Sequence, residues 1–158
     1  MTIGWATKTA AKRKLSVPHR SITSMIYVST ASPGLEQDDF QAIMATSQRN
    51  NQRFGITGLL VFNGFNFMQC LEGDRSAANE LLNRIRMDER HSGMTLLGHQ
   101  ETFGRQFSQW NMAGQYLPVK QGLAQEGLSA ILADAAVTDA TRTLFQSFRS
   151  LGAKTPEQ

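Results

Sequence analysis

The sequence predicts an α+β domain in which a βαββαββ sheet carries two helices on one face, with two C-terminal helices covering the other. Three observations lead there. Short apolar runs of strand length alternate with segments whose apolar residues recur at helical spacing. Asn63-Gly64 separates two such runs and is a strong hairpin signal. From Gln121 onward the composition turns to helix formers. With 158 residues and 41% hydrophobic content, the chain suits one domain with a sizeable core.

Ser24 to Ser29 reads as the first strand, followed by the turn signal Ser32-Pro33-Gly34. Phe40, Ile43, Met44 and Ser47 then recur at helical spacing, and Glu36, Asp38 and Asp39 place negative charge where the helix dipole favours it. The spacing predicts that this helix ends near Asn50-Asn51, ahead of Gly55 and a buried strand from Ile56 to Phe62. Phe65 to Leu71 returns antiparallel. Asp74 is placed to cap a second helix, whose Ala78, Leu81, Leu82 and Ile85 form one apolar stripe. Met94 to Phe103 and Gln106 to Ala113 read as the fourth and fifth strands, and the resulting order is that of a ferredoxin-like fold. Leu123, Leu128, Ile131 and Leu132, then Leu144, Phe145, Phe148 and Leu151, mark two amphipathic helices separated near Val137 to Asp139, with Thr138 or Asp139 available as the second cap. The predicted division is a basic tail over residues 1–22, a sheet domain over 23–118, a helical segment over 119–152 and a short tail over 153–158.

Charge and composition exclude several classes. The formal net charge is +3, but residues 1–20 hold Lys8, Lys12, Arg13, Lys14 and Arg20 with no acid, so the remainder is slightly acidic. A basic arm of this kind can bind nucleic acid or an anionic membrane surface, and a nucleic-acid partner is expected only through it. The single Cys70 cannot form an internal disulfide, and three dispersed histidines suggest no metal site. No run approaches the length of a membrane span, and the start lacks the apolar region of a secretory signal, so cytoplasmic residence is the expectation.

The chemistry is concentrated in polar residues set into apolar patterns. Alternation along a strand groups Met25, Tyr27 and Ser29 on one face, Phe67, Gln69 and Leu71 on another, and Ser108, Trp110 and Met112 on a third. A tyrosine and a glutamine buried in this way need partners, because an unpaired polar group away from water costs roughly 1 to 3 kcal/mol. The first and third strands are central neighbours in a ferredoxin-like sheet, so Tyr27 and Gln69 can touch if both face the helices. Cys70, of opposite parity, faces away. No strand-to-helix GxGxxG and no hydrolytic triad appear.

Tyr27 in SMIYVS, Asn50-Asn51 before GITGLLVF, Gln69 in FMQCLEG, the run DERH from Asp88 to His91, and Trp110 with Met112 in FSQWNM together resemble the BLUF family, small blue-light sensors that hold a flavin non-covalently. The resemblance spans residues 23–115, and the 42-residue interval from Tyr27 to Gln69 is the family's. It implies a flavin wedged between the two helices, usually FAD, with FMN as the other candidate. By the same resemblance, Tyr27 gives an electron and a proton to the excited ring. Gln69 bridges tyrosine to flavin and rearranges, leaving a stronger hydrogen bond at the C4 carbonyl. Asn50, Asn51, Arg84, Asp88, Arg90 and His91 hold the cofactor, and Trp110 and Met112 pass the signal on. The roughly 40 residues after Leu117 are too few for an output enzyme, so the expectation is output through a separate protein effector or a change of homo-oligomer. Two rivals share the strand order. One is a nucleic-acid-binding module, which lacks here an aromatic pair in an RNP-like segment. The other is an acylphosphatase-like or flavin-dependent enzyme, for which no convincing catalytic pair is evident.

Overall fold

Apolar residues of both parities along the strands give this sheet two buried faces. In the computed structural model, which describes residues 21–117 and 123–151, β1 (Ile22–Ala31), β2 (Thr57–Phe62), β3 (Asn66–Gly73), β4 (His91–Thr102) and β5 (Ala113–Tyr116) lie in the order β4-β1-β3-β2-β5. Neighbours pair antiparallel except β2 and β5, which run parallel. Helices α1 (Gln37–Phe54) and α2 (Arg75–Arg86) cover one face, and α3 (Leu123–Leu132) with α4 (Asp139–Leu151) covers the other. This is the ferredoxin-like α+β plan the sequence predicts. The basic arm falls outside the described residues.

Parity sorts the two cores. Met25, Tyr27, Leu60 and Leu71 meet Phe40 and Met44 of α1 and Ala78 and Leu82 of α2. Ile26, Leu59, Val61 and Cys70 meet Leu128 and Leu132 of α3 and Phe145 and Phe148 of α4. β2 is buried along its whole length, as a strand covered on both faces must be. Each large side chain so enclosed contributes about 1.5 to 3 kcal/mol relative to exposure. Asp74 caps α2 by accepting from Ser76 N–H, as its position predicts. Thr138 caps α4 by accepting from Thr141 N–H.

Four expectations need correction. The predicted end of α1 at Asn50-Asn51 is passed, because Gly55, at φ 64°, supplies the left-handed C-terminal position and its N–H and that of Ile56 point to the Asn51 carbonyl. Both asparagines are therefore helical. The hairpin turn centres on Gly64-Phe65 rather than Asn63-Gly64, since Asn63 N–H donates to the Asn66 carbonyl and its side chain accepts from the N–H groups of Phe65 and Asn66. The fifth strand is not Gln106 to Ala113 but Ala113–Tyr116. Residues 105–112 instead form a link of turns fastened by side chains, and their apolar spacing reflects core filling from a non-extended segment. As a consequence Trp110 and Met112 do not share a face: Met112 packs with the α1/α2 core and Trp110 against the α3/α4 core.

Candidate functional site

Register builds the site. Tyr27 of β1 stands directly opposite Gln69 of β3, and Gln69 opposite Leu60 of β2. All three point toward α1 and α2. Above them the helices part into a cleft of about 400 Å³. On α1, Ile43, Ser47, Asn50, Asn51 and Phe54 face it at helical spacing, and on α2 Ala77, Leu81, Arg84 and Ile85 do the same. Asp88, Arg90 and His91 close the end where α2 gives way to β4.

The polar floor is paired. Tyr27 Oη donates to Gln69 Oε1, and Gln69 Nε2 points at Met112 Sδ, 3.4 Å away. Asn51, almost fully buried, donates through Nδ2 to the Asn111 carbonyl at 2.9 Å, which ties α1 to the segment before β5. Burial, and after it the negative charge of Asp88, holds the Tyr27 phenol neutral far above the ordinary tyrosine range.

The closing end pairs its own charges. Arg90 donates from Nε to Asp88 Oδ1 at 2.9 Å and from Nη2 to Oδ2 at 2.5 Å, a fork on a carboxylate. Those bonds hold the Asp88 carboxyl down at about 2. His91 Nε2 lies 2.5 Å from the Ile85 carbonyl and must donate to it, while Nδ1 sits 2.8 Å from Ser29 Oγ. Both nitrogens are thus engaged within the protein, and the imidazole forms a wall of the cleft beside Tyr27 and Phe67. Arg84 pairs with Glu80 at 2.7 Å on the exposed side of α2.

The structure places Tyr27, Asn50, Asn51, Gln69, Arg84, Asp88, Arg90 and His91 around one cleft. Met112 reaches its floor through Gln69, whereas Trp110 lies apart, its ring 6.5 Å from that of Phe107. Sequence reasoning missed the apolar walls Ile43, Leu81 and Phe54, although their helical spacing with Asn50 and Arg84 carried the signal. It also missed Ser29, which shares Tyr27's parity and orients His91. The arrangement suits a flat heteroaromatic ligand with a carbonyl and N–H edge. Apolar side chains flank the space, and carboxamides that can both donate and accept lie at its base.

A family described as BLUF, sensors of blue light using FAD, matches residues 22–113. Photoactivated adenylate cyclase subunit beta of Euglena gracilis is 39% identical over 75 residues, which make up 48% of this chain and 9% of that protein. Among solved structures, Klebsiella pneumoniae BlrP1 with FMN and cyclic diGMP, without metal ions, aligns with a TM-score of 0.71 at 30% identity over 83% of this chain and 35% of that one. The dark-state structure of the BLUF protein BlrB aligns with a TM-score of 0.62 at 31% identity over 82% of this chain and 98% of that one. The chain thus spans a small part of the cyclase subunit and nearly all of BlrB.

Proposed function

This chain belongs to the BLUF family of flavin-binding blue-light sensors, and from that premise we propose that its cleft holds FAD and that Tyr27 and Gln69 carry the photochemistry. The observation that supports this most is the Tyr27 hydroxyl donating to Gln69 at the base of a cleft lined by carboxamides and apolar walls. Asn50, Asn51 and Gln69 offer amides to the polar edge of the ring, Ile43 and Leu81 flank its plane, and Arg84, Asp88 and Arg90 orient its polar periphery. When bound, the flavin absorbs blue light and supplies the oxidising power that a phenol can meet.

Tyr27 keeps its proton at Oη in darkness, because burial forbids the phenolate. With flavin bound, Tyr27 would give that proton together with the electron to the excited ring, since a desolvated cation would otherwise be left behind. Gln69 is the element that rearranges. Its oxygen faces Tyr27 and its nitrogen faces Met112 Sδ. Exchanging the two ends presents N–H to Tyr27 and turns a carbonyl oxygen on the sulfur, which has no proton to give. Met112 must then shift, and β5 follows it directly in sequence. One net hydrogen bond is worth about 0.5 to 1.5 kcal/mol, so the responding segment has to be nearly balanced in darkness. The helices α3 and α4 pack on the opposite face of the sheet, and through them the signal passes to a separate protein effector or to contacts between copies of this chain.

The test is an absorption spectrum of the full chain with bound flavin before and after blue illumination. The expected result is a lasting red shift in the wild type that Tyr27→Phe abolishes while retaining the flavin. A red shift that survives in Tyr27→Phe overturns the assignment.

A further inference from the structure

Residues 103–112 connect β4 to β5, and the stretch 105–112 of this link is fastened to β3 at both ends. At one end Met112 Sδ meets Gln69 Nε2. At the other, three residues along β3, the fully buried carboxylate of Glu72 accepts from Gln106 N–H at 2.6 Å and from Phe107 N–H at 3.0 Å, with the Thr57 hydroxyl as a third donor at 3.1 Å. Arg105 binds the Thr57 hydroxyl oxygen, the Glu72 carbonyl and the Gly55 carbonyl, fixing the same corner of the sheet. A carboxylate held largely by amide and hydroxyl dipoles is a demanding thing to bury: desolvation pushes its pKa up while these bonds oppose it.

The link also reaches the far side of the sheet. The Gln106 side chain is buried, and its Oε1 accepts from Thr138 N–H at 2.9 Å and from the Thr138 hydroxyl at 3.1 Å. Thr138 is the residue that caps α4. Phe107, with no exposed surface, packs in the same cluster as Phe145 and Phe148 of α4.

We propose that Glu72, Gln106 and Thr138 form the joint by which rearrangement at Gln69 reaches α4, Glu72 acting as the pivot that lets the 105–112 link turn as a unit. The proposal rests on the light-sensing reading above and extends it to a route of output. Without the pivot, displacement of Met112 is absorbed by eight residues of turns. With it, the displacement arrives at the Gln106 carboxamide, which holds the residue that caps α4. These three are positioning residues; none of them lines the cleft.

The experiment is amide hydrogen exchange of the flavin-loaded full chain, read over residues 139–151 in darkness and under blue light, with the visible red shift recorded on the same samples. The wild type is expected to show a light-minus-dark difference in α4. Gln106→Ala is expected to keep the red shift, to raise α4 exchange in darkness about fivefold, as the loss of a net hydrogen bond implies, and to show no further change on illumination. Thr138→Val, at an exposed position, should behave likewise, and Thr138→Ser, which restores the hydroxyl, should recover the light response. A purely structural network predicts a different result: the variants exchange faster in both conditions and keep the light-minus-dark difference. That result, or a wild-type α4 indifferent to light while the red shift is intact, overturns the joint alone. Absence of the red shift in the wild type overturns the light-sensing reading, and the joint with it.

Discussion

The Nε2 of Gln69 on β3 and the Sδ of Met112 at the threshold of β5 are 3.4 Å apart, and both residues are buried. A thioether is a weak acceptor and a flexible one, so it holds the carboxamide in one orientation without locking it there. Met112→Leu conserves volume and removes the sulfur. It is expected to change stability by less than about 1.5 kcal/mol and to leave the red shift in place. In a Trp5→Phe background, where Trp110 is the remaining tryptophan, it is expected to diminish the light-induced change in Trp110 emission. Denaturant midpoints and fluorescence under illumination check both.

Tyr27 gives the fold an alkaline limit. Its folded-state pKa is raised, so the stabilisation linked to its proton is intact below the unfolded value of about 10 and is lost as pH rises above it, where the unfolded chain surrenders the proton and the fold retains it. Stability is expected to fall with increasing pH above about 10, and Tyr27→Phe is expected to flatten that slope. Urea midpoints across the alkaline range measure it.

Asp88 works in the opposite direction. Arg90 holds its carboxyl at about 2 in the folded protein, against about 3.9 when unfolded, so its contribution is present above about 4 and disappears as pH falls toward about 2. The pair is partly exposed, which solvent screening weakens. Asp88→Asn is expected to remove this component of acid sensitivity and to loosen flavin at neutral pH, where Arg90 loses its partner. Flavin release against pH reports both.

Gly114 is a packing glycine. A Cβ at this position meets Met44 Sδ and Cε at 2.5 Å, so β5 passes close beneath α1. Gly114→Ala is expected to cost no more than about 1 kcal/mol, because the atoms in its way are the movable end of the Met44 side chain. Shortening Met44 to Ala in the same protein should return most of it, with a coupling of about 0.5 kcal/mol in a double-mutant cycle.

The floor of the cleft was legible in the sequence because strand alternation is strict: Tyr27 and Gln69 needed only the correct face to meet, and Cys70 followed by parity. The cap at Asp74 and the apolar stripe of α2 were equally readable. The end of α1 was not, since Asn50-Asn51 resembles a stop signal, and only the backbone shows Gly55 providing the left-handed turn one helical turn later. Phe107, Trp110 and Met112 mimicked a strand because a segment of turns that fills two cores from one path also yields closely spaced apolar residues. Glu72 reads as an ordinary acid in LEG; its burial is imposed by amides 34 and 35 residues away, a distance no local pattern reports. The engagement of His91 with Ser29 and Ile85 is hidden for the same reason.

β5 is four residues long, lies at the rim of the sheet and is paired along one flank to β2 alone, whereas β1 and β3 are gripped from both sides. On the proposed function, photon capture is lodged in strands paired on both sides and its mechanical consequence in a strand paired on one side. A sensor built on that proposal can be read out repeatedly, because what moves is trim and the frame that aligns the chromophore is left undisturbed.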